Sequence, residues 1–302
     1  MEQFISTALT SDNVVALVSH DSGGAELLSS WIRSYPEQTY KLVVEGPARE
    51  VFRRKKALNH EMNLEDAIQL ADWVLTGSSW GSELEISAIK HANREDKYIV
   101  TFLDHWVNYR SRLTRNGHLN LPDEIWVGDR YAYMVAINEL PTELRKKIVG
   151  NPYFEDSLSQ LKKLSATSQI DGIKVLYLCE NISGHAANVE GNEAGWGYTE
   201  YDALKYFFDK VKGECIDHIT VRPHPSDPDG KYEFIFGMGL ENLSVANKTE
   251  PLIVQISQHD WIVGCNTTAM VLSSLAGKRT ISCIPPGGRK CVLPHENIEH
   301  WV

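Results

Sequence analysis

The chain has 302 residues, 42% of them hydrophobic and 23% charged, a composition ordinary for a soluble globular protein and, at roughly 100–200 residues per domain, long enough for two. A formal net charge of −10 and a pI near 5.6 argue against a general nucleic-acid binder. No apolar run reaches the roughly 18–20 residues of a membrane span, and Met1-Glu2-Gln3-Phe4 lacks the basic and apolar parts of a secretory signal. Five cysteines without metal-like spacing, Cys179, Cys215, Cys265, Cys283 and Cys291, read as reduced thiols of a cytoplasmic protein.

Val14 to Val18 is a continuous apolar run, as in a strand buried on both faces of a parallel sheet. Ser19-His20-Asp21-Ser22-Gly23-Gly24 follows, then Leu27, Leu28, Trp31 and Ile32 at helical spacing. His20 and Asp21 stand at the carboxyl end of that strand, where open α/β sheets place their ligands; the plainer alternative is that Asp21 caps the helix and His20 faces solvent. Gly23 and Gly24 allow close backbone approach, and the helix start offers N–H groups to an anion or a sugar hydroxyl. The turn is not a G-x-G-x-x-G fingerprint, so no NAD is implied.

Tyr40 to Val44 reads as the second strand. Arg53-Arg54-Lys55-Lys56 is the one dense basic run and the only feature that favours a peripheral membrane contact, although such a run is more often a solvated helix face. Asn63 to Leu70 reads as a helix capped by Asn63. Ala71 to Trp80 is another strand and small-residue turn, carrying Ser78 and Ser79 into a helix through Ile89. Tyr98 to Leu103 is the next strand. It delivers Asp104, His105, Asn108, Tyr109 and Arg112, a mixture of rings and hydrogen-bonding groups that suits a sugar or, equally, a loop with a buried Trp and a paired Arg. Leu121 to Asp129 reads as the last strand of this half, followed by a helix from Arg130 to Leu140. Gly150-Asn151-Pro152 marks a turn, and the polar stretch after it reads as a linker running to about Gly172, with the domain boundary near residue 155.

Ile173 to Cys179 opens the second half as a strand, followed by a Gly- and Glu-rich loop to Tyr198 and a helix from Glu200 to Lys212 capped by Thr199. Ile219 to Val221 is a strand that stops at Arg222-Pro223-His224-Pro225. Two prolines flanking a histidine end a strand sharply and present Arg222, a permanent cation, beside His224, a titratable donor. That pair suits a phosphate, the alternative being an ordinary proline turn. Leu243 to Ala246 is a short strand, and Pro251 to Ile256 fits helix or strand. His259 to Gly264 is a strand ending at Asn266, Thr267 and Thr268, small polar groups that open a helix and can bond both backbone and phosphate. Arg279 to Ile284 reads as the closing strand. Asp72-Trp73-Val74-Leu75 and Asp260-Trp261-Ile262-Val263 echo one another, once per half, as two Rossmann-like units would give.

The Arg-Pro-His-Pro element after a strand resembles the His-Pro motif of bacterial glycosyltransferases of the GT-B fold, nearest in look to the sialyl-, polysialyl- and Kdo-transferases that use CMP-sugars. The resemblance is strongest over the last third of the chain. It implies an α/β fold of two facing Rossmann-like domains with a cleft between them, residues 1–155 for the acceptor and 156–302 for the nucleotide-sugar. In those enzymes the His-Pro element and a Ser/Thr pair further on bind the nucleotide phosphate. Carried onto this chain, Arg222, His224, Asn266, Thr267 and Thr268 form the donor site. Gly23, Gly24, Ser78, Ser79, His105, Asn108, Tyr109 and Arg112 form the acceptor site. Asp21 is the first choice for the group that takes the acceptor proton, His20 the second and Asp104 the third. Cationic side chains stabilise the departing phosphate, no Asp-x-Asp triplet is present, and neither metal nor other cofactor is implied. The expected partners are a CMP- or UDP-linked sugar and a glycan or lipid-linked acceptor in bacterial surface polysaccharide synthesis. A nucleotide-sugar hydrolase or 2-epimerase on the same fold, or a non-catalytic nucleotide or sugar binder, are the alternatives.

Overall fold

A computed structural model describes residues 13–58, 61–165 and 172–301. By internal contacts the chain divides into two compact units, Met1–Asp156 and Ser157–Val302. The first contains β1 (Val14–Ser19), α1 (Ser22–Ser34), β2 (Thr39–Val44), α2 (Ala48–Arg54), α3 (Leu64–Leu70), β3 (Trp73–Thr76), α4 (Leu84–Arg94), β4 (Tyr98–Leu103), the single turn α5 (Tyr109–Arg112), a hairpin of β5 (Thr114–Arg115) and β6 (His118–Leu119), β7 (Glu124–Val127), α6 (Arg130–Glu139) and β8 (Arg145–Ile148). Its main sheet runs β2-β1-β3-β4-β7-β8 with every pairing parallel. Strand order reverses between β1 and β3, which makes their carboxyl ends the crevice of this unit.

Continuous apolar strands are what such a sheet demands, since helices cover both faces. Val15, Leu17 and Leu75 are fully buried, and Trp31, Trp73, Phe102 and Trp126 pack into the same core, with Trp31 and Trp126 ring centroids 4.9 Å apart. Each such side chain contributes roughly 1.5–3 kcal/mol by leaving water. The strand expected to close this half, Leu121 to Asp129, is followed by a further one, β8. Its sequence, Arg-Lys-Lys-Ile, has no apolar run because it is an edge strand touched on one side only. In the basic run at Arg53 to Lys56, Arg53 pairs with Glu50, and Arg54 and Lys55 both pair with Glu26, so much of its charge is offset locally.

The boundary between the units falls within α7 (Pro152–Ser165), a helix that occupies most of the stretch expected to be a linker; residues 166–171 lie outside the described ones. The second unit contains β9 (Lys174–Leu178), α8 (Ile182–Glu190), α9 (Glu200–Lys210), β10 (His218–Arg222), a 3-10 turn (Glu233–Gly237), β11 (Leu243–Val245), α10 (Leu252–Gln258), β12 (Trp261–Gly264), α11 (Thr268–Leu275), β13 (Arg279–Cys283) and β14 (Ile298–Trp301). The all-parallel sheet runs β11-β10-β9-β12-β13-β14, with its reversal between β9 and β12. The ambiguous Pro251 stretch is helix α10. Two expectations fail here. The Gly- and Glu-rich loop after β9 is largely helix α8, started by Asn181, whose side chain accepts from Gly184 N–H at 3.3 Å. The sheet also continues past Arg279–Cys283 to β14. Thr199 caps α9 as expected, in a reciprocal capping box with Asp202.

The sequence echo has a structural meaning. Asp72 accepts from the N–H of Val14, the first residue of β1, at 2.7 Å, and Asp260 accepts from the N–H of Lys174, the first residue of β9, at 2.9 Å. In each unit the Asp-Trp strand therefore pins the start of the opening strand across the point where strand order reverses. The fold is α/β with two Rossmann-like units.

Candidate functional site

In the first unit, β1 ends at Ser19 and hands His20 and Asp21 to the crevice. Asp21 precedes α1 yet makes no capping bond with its side chain. Its carboxylate instead reaches the loop after β3, where Oδ1 accepts from the Ser79 hydroxyl at 2.8 Å and Oδ2 from the Trp80 N–H at 3.2 Å. Oδ1 also lies 2.8 Å from His20 Nδ1. A carboxylate only accepts, so Nδ1 carries a proton toward it. Gly46, at φ +51°, makes room for this ring, because a Cβ there would sit 2.4 Å from Nε2.

Asp104 follows β4 and approaches the same serine pair. Its Oδ1 is 3.3 Å from the Ser78 hydroxyl and 3.8 Å from Arg112 Nη1, and Arg112 Nη1 also donates to Ser78 at 3.1 Å. A Cβ on Gly23 would fall 2.0 Å from Asp104 Oδ2, so a larger residue there would displace that carboxylate. Gly24 packs against Gly77 and Ser78. Thus His20, Asp21, Gly23, Gly24, Ser78, Ser79, Asp104 and Arg112 form one cluster, with two carboxylates braced on consecutive serines. The other three expected acceptor residues play different parts. Tyr109 is fully buried and its hydroxyl donates to the His105 carbonyl, so it is an internal strut and not a sugar contact. His105 accepts from Trp106 N–H at 3.0 Å through Nδ1, and burial pushes its pKa down against the upward pull of Asp104. Asn108 takes a left-handed backbone, φ 63°, that turns the chain into α5.

Two residues of this cluster carried no motif. Glu85, in the first turn of α4, is 3% exposed; its Oε1 accepts the His20 N–H at 2.7 Å and its Oε2 has no hydrogen-bond partner among the described residues. Burial pushes this carboxyl up to about 7. Its signal in the sequence is a carboxylate on the buried stripe of Ala88, Ile89 and Ala92. Arg115 donates to the carbonyls of Ser79 and Ser82 at 3.1 and 3.0 Å and holds the serine loop from behind. Trp80 stands 47% exposed, with the Arg112 guanidinium 5.7 Å from its ring centre. A separate groove at the carboxyl end of β2, lined by Val44, Glu45, Arg49, Glu61 and Asn63, contains none of the clustered carboxylates.

In the second unit, the loop after β10 fixes His224 tightly. Its backbone N–H donates to Asp227 Oδ2 at 2.8 Å, and its Nδ1 lies 2.7 Å from the Ser226 hydroxyl and accepts Ser226 N–H at 3.3 Å. A ring nitrogen that accepts from an amide leaves the proton on Nε2. Burial lowers the pKa of this imidazole, so it is a neutral N–H donor near pH 7. Arg222 is less available than expected, because its Nη1 is committed to the Glu250 carbonyl and the Gln255 side chain at 3.0 and 2.6 Å.

The start of α11 differs from expectation in a more important way. Glu180, the second residue beyond β9, places Oε1 2.8 and 2.7 Å from the N–H groups of Cys265 and Asn266, and Thr267 N–H bonds the same carboxyl group. The backbone N–H groups at this helix start are thus satisfied by the chain's own carboxylate, which burial raises to about 7. Asn266 Oδ1 accepts from Val292 N–H at 3.0 Å, and Thr267 caps α11 through Ala269 N–H at 3.4 Å. Glu180 and Asp21 occupy equivalent places, two residues past the opening strand and bonded to the loop across the reversal.

No protein-family model matches the sequence, and no curated protein matches it either. Solved structures do. UDP-GlcNAc 2-epimerase from Neisseria meningitidis, bound to UDP-GlcNAc, superimposes with a TM-score of 0.60 at 13% identity, over 89% of this chain and 82% of that one. The UDP-GlcNAc 2-epimerase of Methanocaldococcus jannaschii gives 0.60 at 11%, over 89% and 83%, and Anabaena HepE in complex with UDP gives 0.54 at 11%, over 89% and 80%. The fold is that of the UDP-GlcNAc 2-epimerases. It is shared with the GT-B glycosyltransferases, and the two Rossmann-like α/β units expected from the His-Pro resemblance are present. Among the described residues no helix is long and apolar enough to cross a membrane, and no three His, Cys, Asp or Glu side chains are grouped to hold a metal ion.

Proposed function

We propose that the chain is a nucleotide-sugar enzyme of the 2-epimerase or hydrolase type. The observation that carries this reading is the pair of carboxylates, Asp21 and Asp104, braced on Ser79 and Ser78 at the β1/β3 crevice. Inverting a C–H centre beside a leaving phosphate takes one group to remove a proton and another to return one, whereas transfer to a hydroxyl takes a single base. Asp21 pairs with His20 and Asp104 lies beside Arg112, so each carboxylate has its own partner at the crevice. In support, N. meningitidis 2-epimerase and HepE are solved with UDP-GlcNAc and UDP. The nucleotide falls to the second unit, through the His224 Nε2–H donor and the hydroxyls of Thr267 and Thr268.

The test is incubation with UDP-GlcNAc or a CMP-linked sugar in D2O, without acceptor. The expected result is deuterium at the sugar carbon next to the anomeric centre, or release of free nucleotide, abolished in Asp104→Asn. A protein that leaves both donors intact and unlabelled contradicts the reading. Exposed Trp80, stacked near Arg112, favours a second reading, glycosyl transfer from a CMP- or UDP-sugar to a glycan, because a bare indole face beside carboxylates suits an acceptor ring. Turnover that appears only with added acceptor distinguishes it.

A further inference from the structure

Lys231 belongs to no motif, yet it is the most enclosed cation of the loop that follows β10. Its side chain is 11% exposed, and Nζ donates to Glu200 Oε1 at 2.5 Å and to Asp227 Oδ1 at 2.7 Å. Both carboxylates are 5% exposed. Each uses its second oxygen to hold a backbone. Asp227 Oδ2 accepts the His224 N–H at 2.8 Å and the Tyr232 hydroxyl at 3.1 Å. Glu200 Oε2 accepts the Ser183 N–H at 2.9 Å and the Ser183 hydroxyl at 2.6 Å. One ammonium therefore ties the His224 loop to the starts of α8 and α9.

A buried ion cluster is a poor device for stability alone, because apolar side chains of similar volume commonly do as well; in some proteins it serves to specify geometry instead. Here the geometry specified is that of His224. The loop leaves Nδ1 accepting from Ser226 and Nε2–H as the donor that remains. We propose that Lys231 is a positioning residue, which through Asp227 and Glu200 holds the His224 loop so that Nε2–H meets the phosphate of a bound nucleotide. This inference rests on the nucleotide-sugar reading for its ligand, but not for its geometry.

The charged groups that bear on the imidazole are Asp227, which favours protonation, and His185 and Lys231, which oppose it, all on top of burial. Without the ammonium, two carboxylates face one another uncompensated, Asp227 moves, and the ring loses both its fixed tautomer and an opposing cation. The experiment is ring nitrogen NMR of His224 in the free protein, with UDP and CMP affinity measured alongside, for wild type, Lys231→Met, Lys231→Arg and the double variant Lys231→Met/Glu200→Gln. Wild type should show the Nε2–H tautomer with a midpoint below the usual 6.5. Lys231→Met should lose the tautomer preference, titrate higher and bind the preferred nucleotide about tenfold more weakly, and Lys231→Arg should recover much of each. Lys212→Met, which removes an exposed cation, should change neither. Unchanged ring signals and affinity in folded Lys231→Met overturn the inference. Should that variant not fold, the double variant, which carries one fewer uncompensated charge, gives the same readouts, and unchanged signals and affinity there overturn the inference equally. If the ring responds as expected while wild type binds neither nucleotide, the bracing role stands and the nucleotide reading falls.

Discussion

Near pH 7 Glu85 is about half ionised, because burial lifts its carboxyl from the usual 4.5 to about 7. The folded chain therefore holds a proton that the unfolded chain releases between those two values. Stability falls as pH rises through that window, by roughly 3 kcal/mol once the group is fully ionised. Glu85→Gln keeps an oxygen for the His20 N–H and removes the charge. It should be more stable than wild type at pH 8 and nearly equal at pH 4.5, read as urea midpoints; a constant difference across that range contradicts the assignment. Asp21 makes a second prediction at this scale. It holds His20, Ser79 and Trp80 together, so Asp21→Asn should cut turnover by about 10²-fold or more while nucleotide affinity stays within twofold of wild type. Neither Glu85 nor Glu180 is legible in the sequence: a carboxylate on an apolar stripe or after a strand reads as ordinary until the burial of its partners is known. His20, Asp21, Ser78, Ser79 and Asp104 are legible because each stands just past an unmistakable apolar strand.

The loops and caps are the next scale. The residues around Thr267 signal a helix start, and α11 does start there, but the backbone N–H groups ahead of it are met by a carboxylate that arrives from 85 residues earlier in the chain. Glu180→Ala leaves three backbone N–H groups near Cys265 without their acceptor, each costing about 1–3 kcal/mol where it stays buried. The variant should unfold at clearly lower urea, whereas Glu180→Gln retains one acceptor and should lose less. Equal midpoints for the two would show that the carboxamide is no substitute. The Thr199 cap of α9 is legible in the sequence, Asp202 completes it into a capping box in the structure, and Thr199→Ala should cost about 1 kcal/mol. Strands β8 and β14 escape a sequence reading for a shared physical reason: both are edge strands, where a single neighbour relaxes the demand for continuous apolar residues. Helix α8 escapes it because Gly184 and Gly191 read as loop residues, although Gly191 is in the left-handed stop position, φ 70°.

Over the whole molecule, both units use one plan, a parallel sheet whose opening strand is pinned by an Asp-Trp strand and followed two residues later by a bonded carboxylate. They differ in strand order, which the sequence does not encode locally, because the third strand crosses the opening strand in the first unit (β3) and is laid beyond the second strand in the other (β11). The crevices at both reversals are the places where such sheets take ligands. A nucleotide that binds only the folded chain stabilises it in proportion to the logarithm of its excess over Kd, by roughly 2.7 kcal/mol at a hundredfold excess, and so raises its melting temperature. The most direct measurement is a thermal-shift panel of CMP, UDP, GDP and ADP on wild type and on His224→Ala. One pyrimidine nucleotide should stabilise wild type by several degrees and leave the variant unmoved. Stabilisation that survives in His224→Ala, or none with any of the four, would contradict the placement of a nucleotide phosphate at the imidazole after β10.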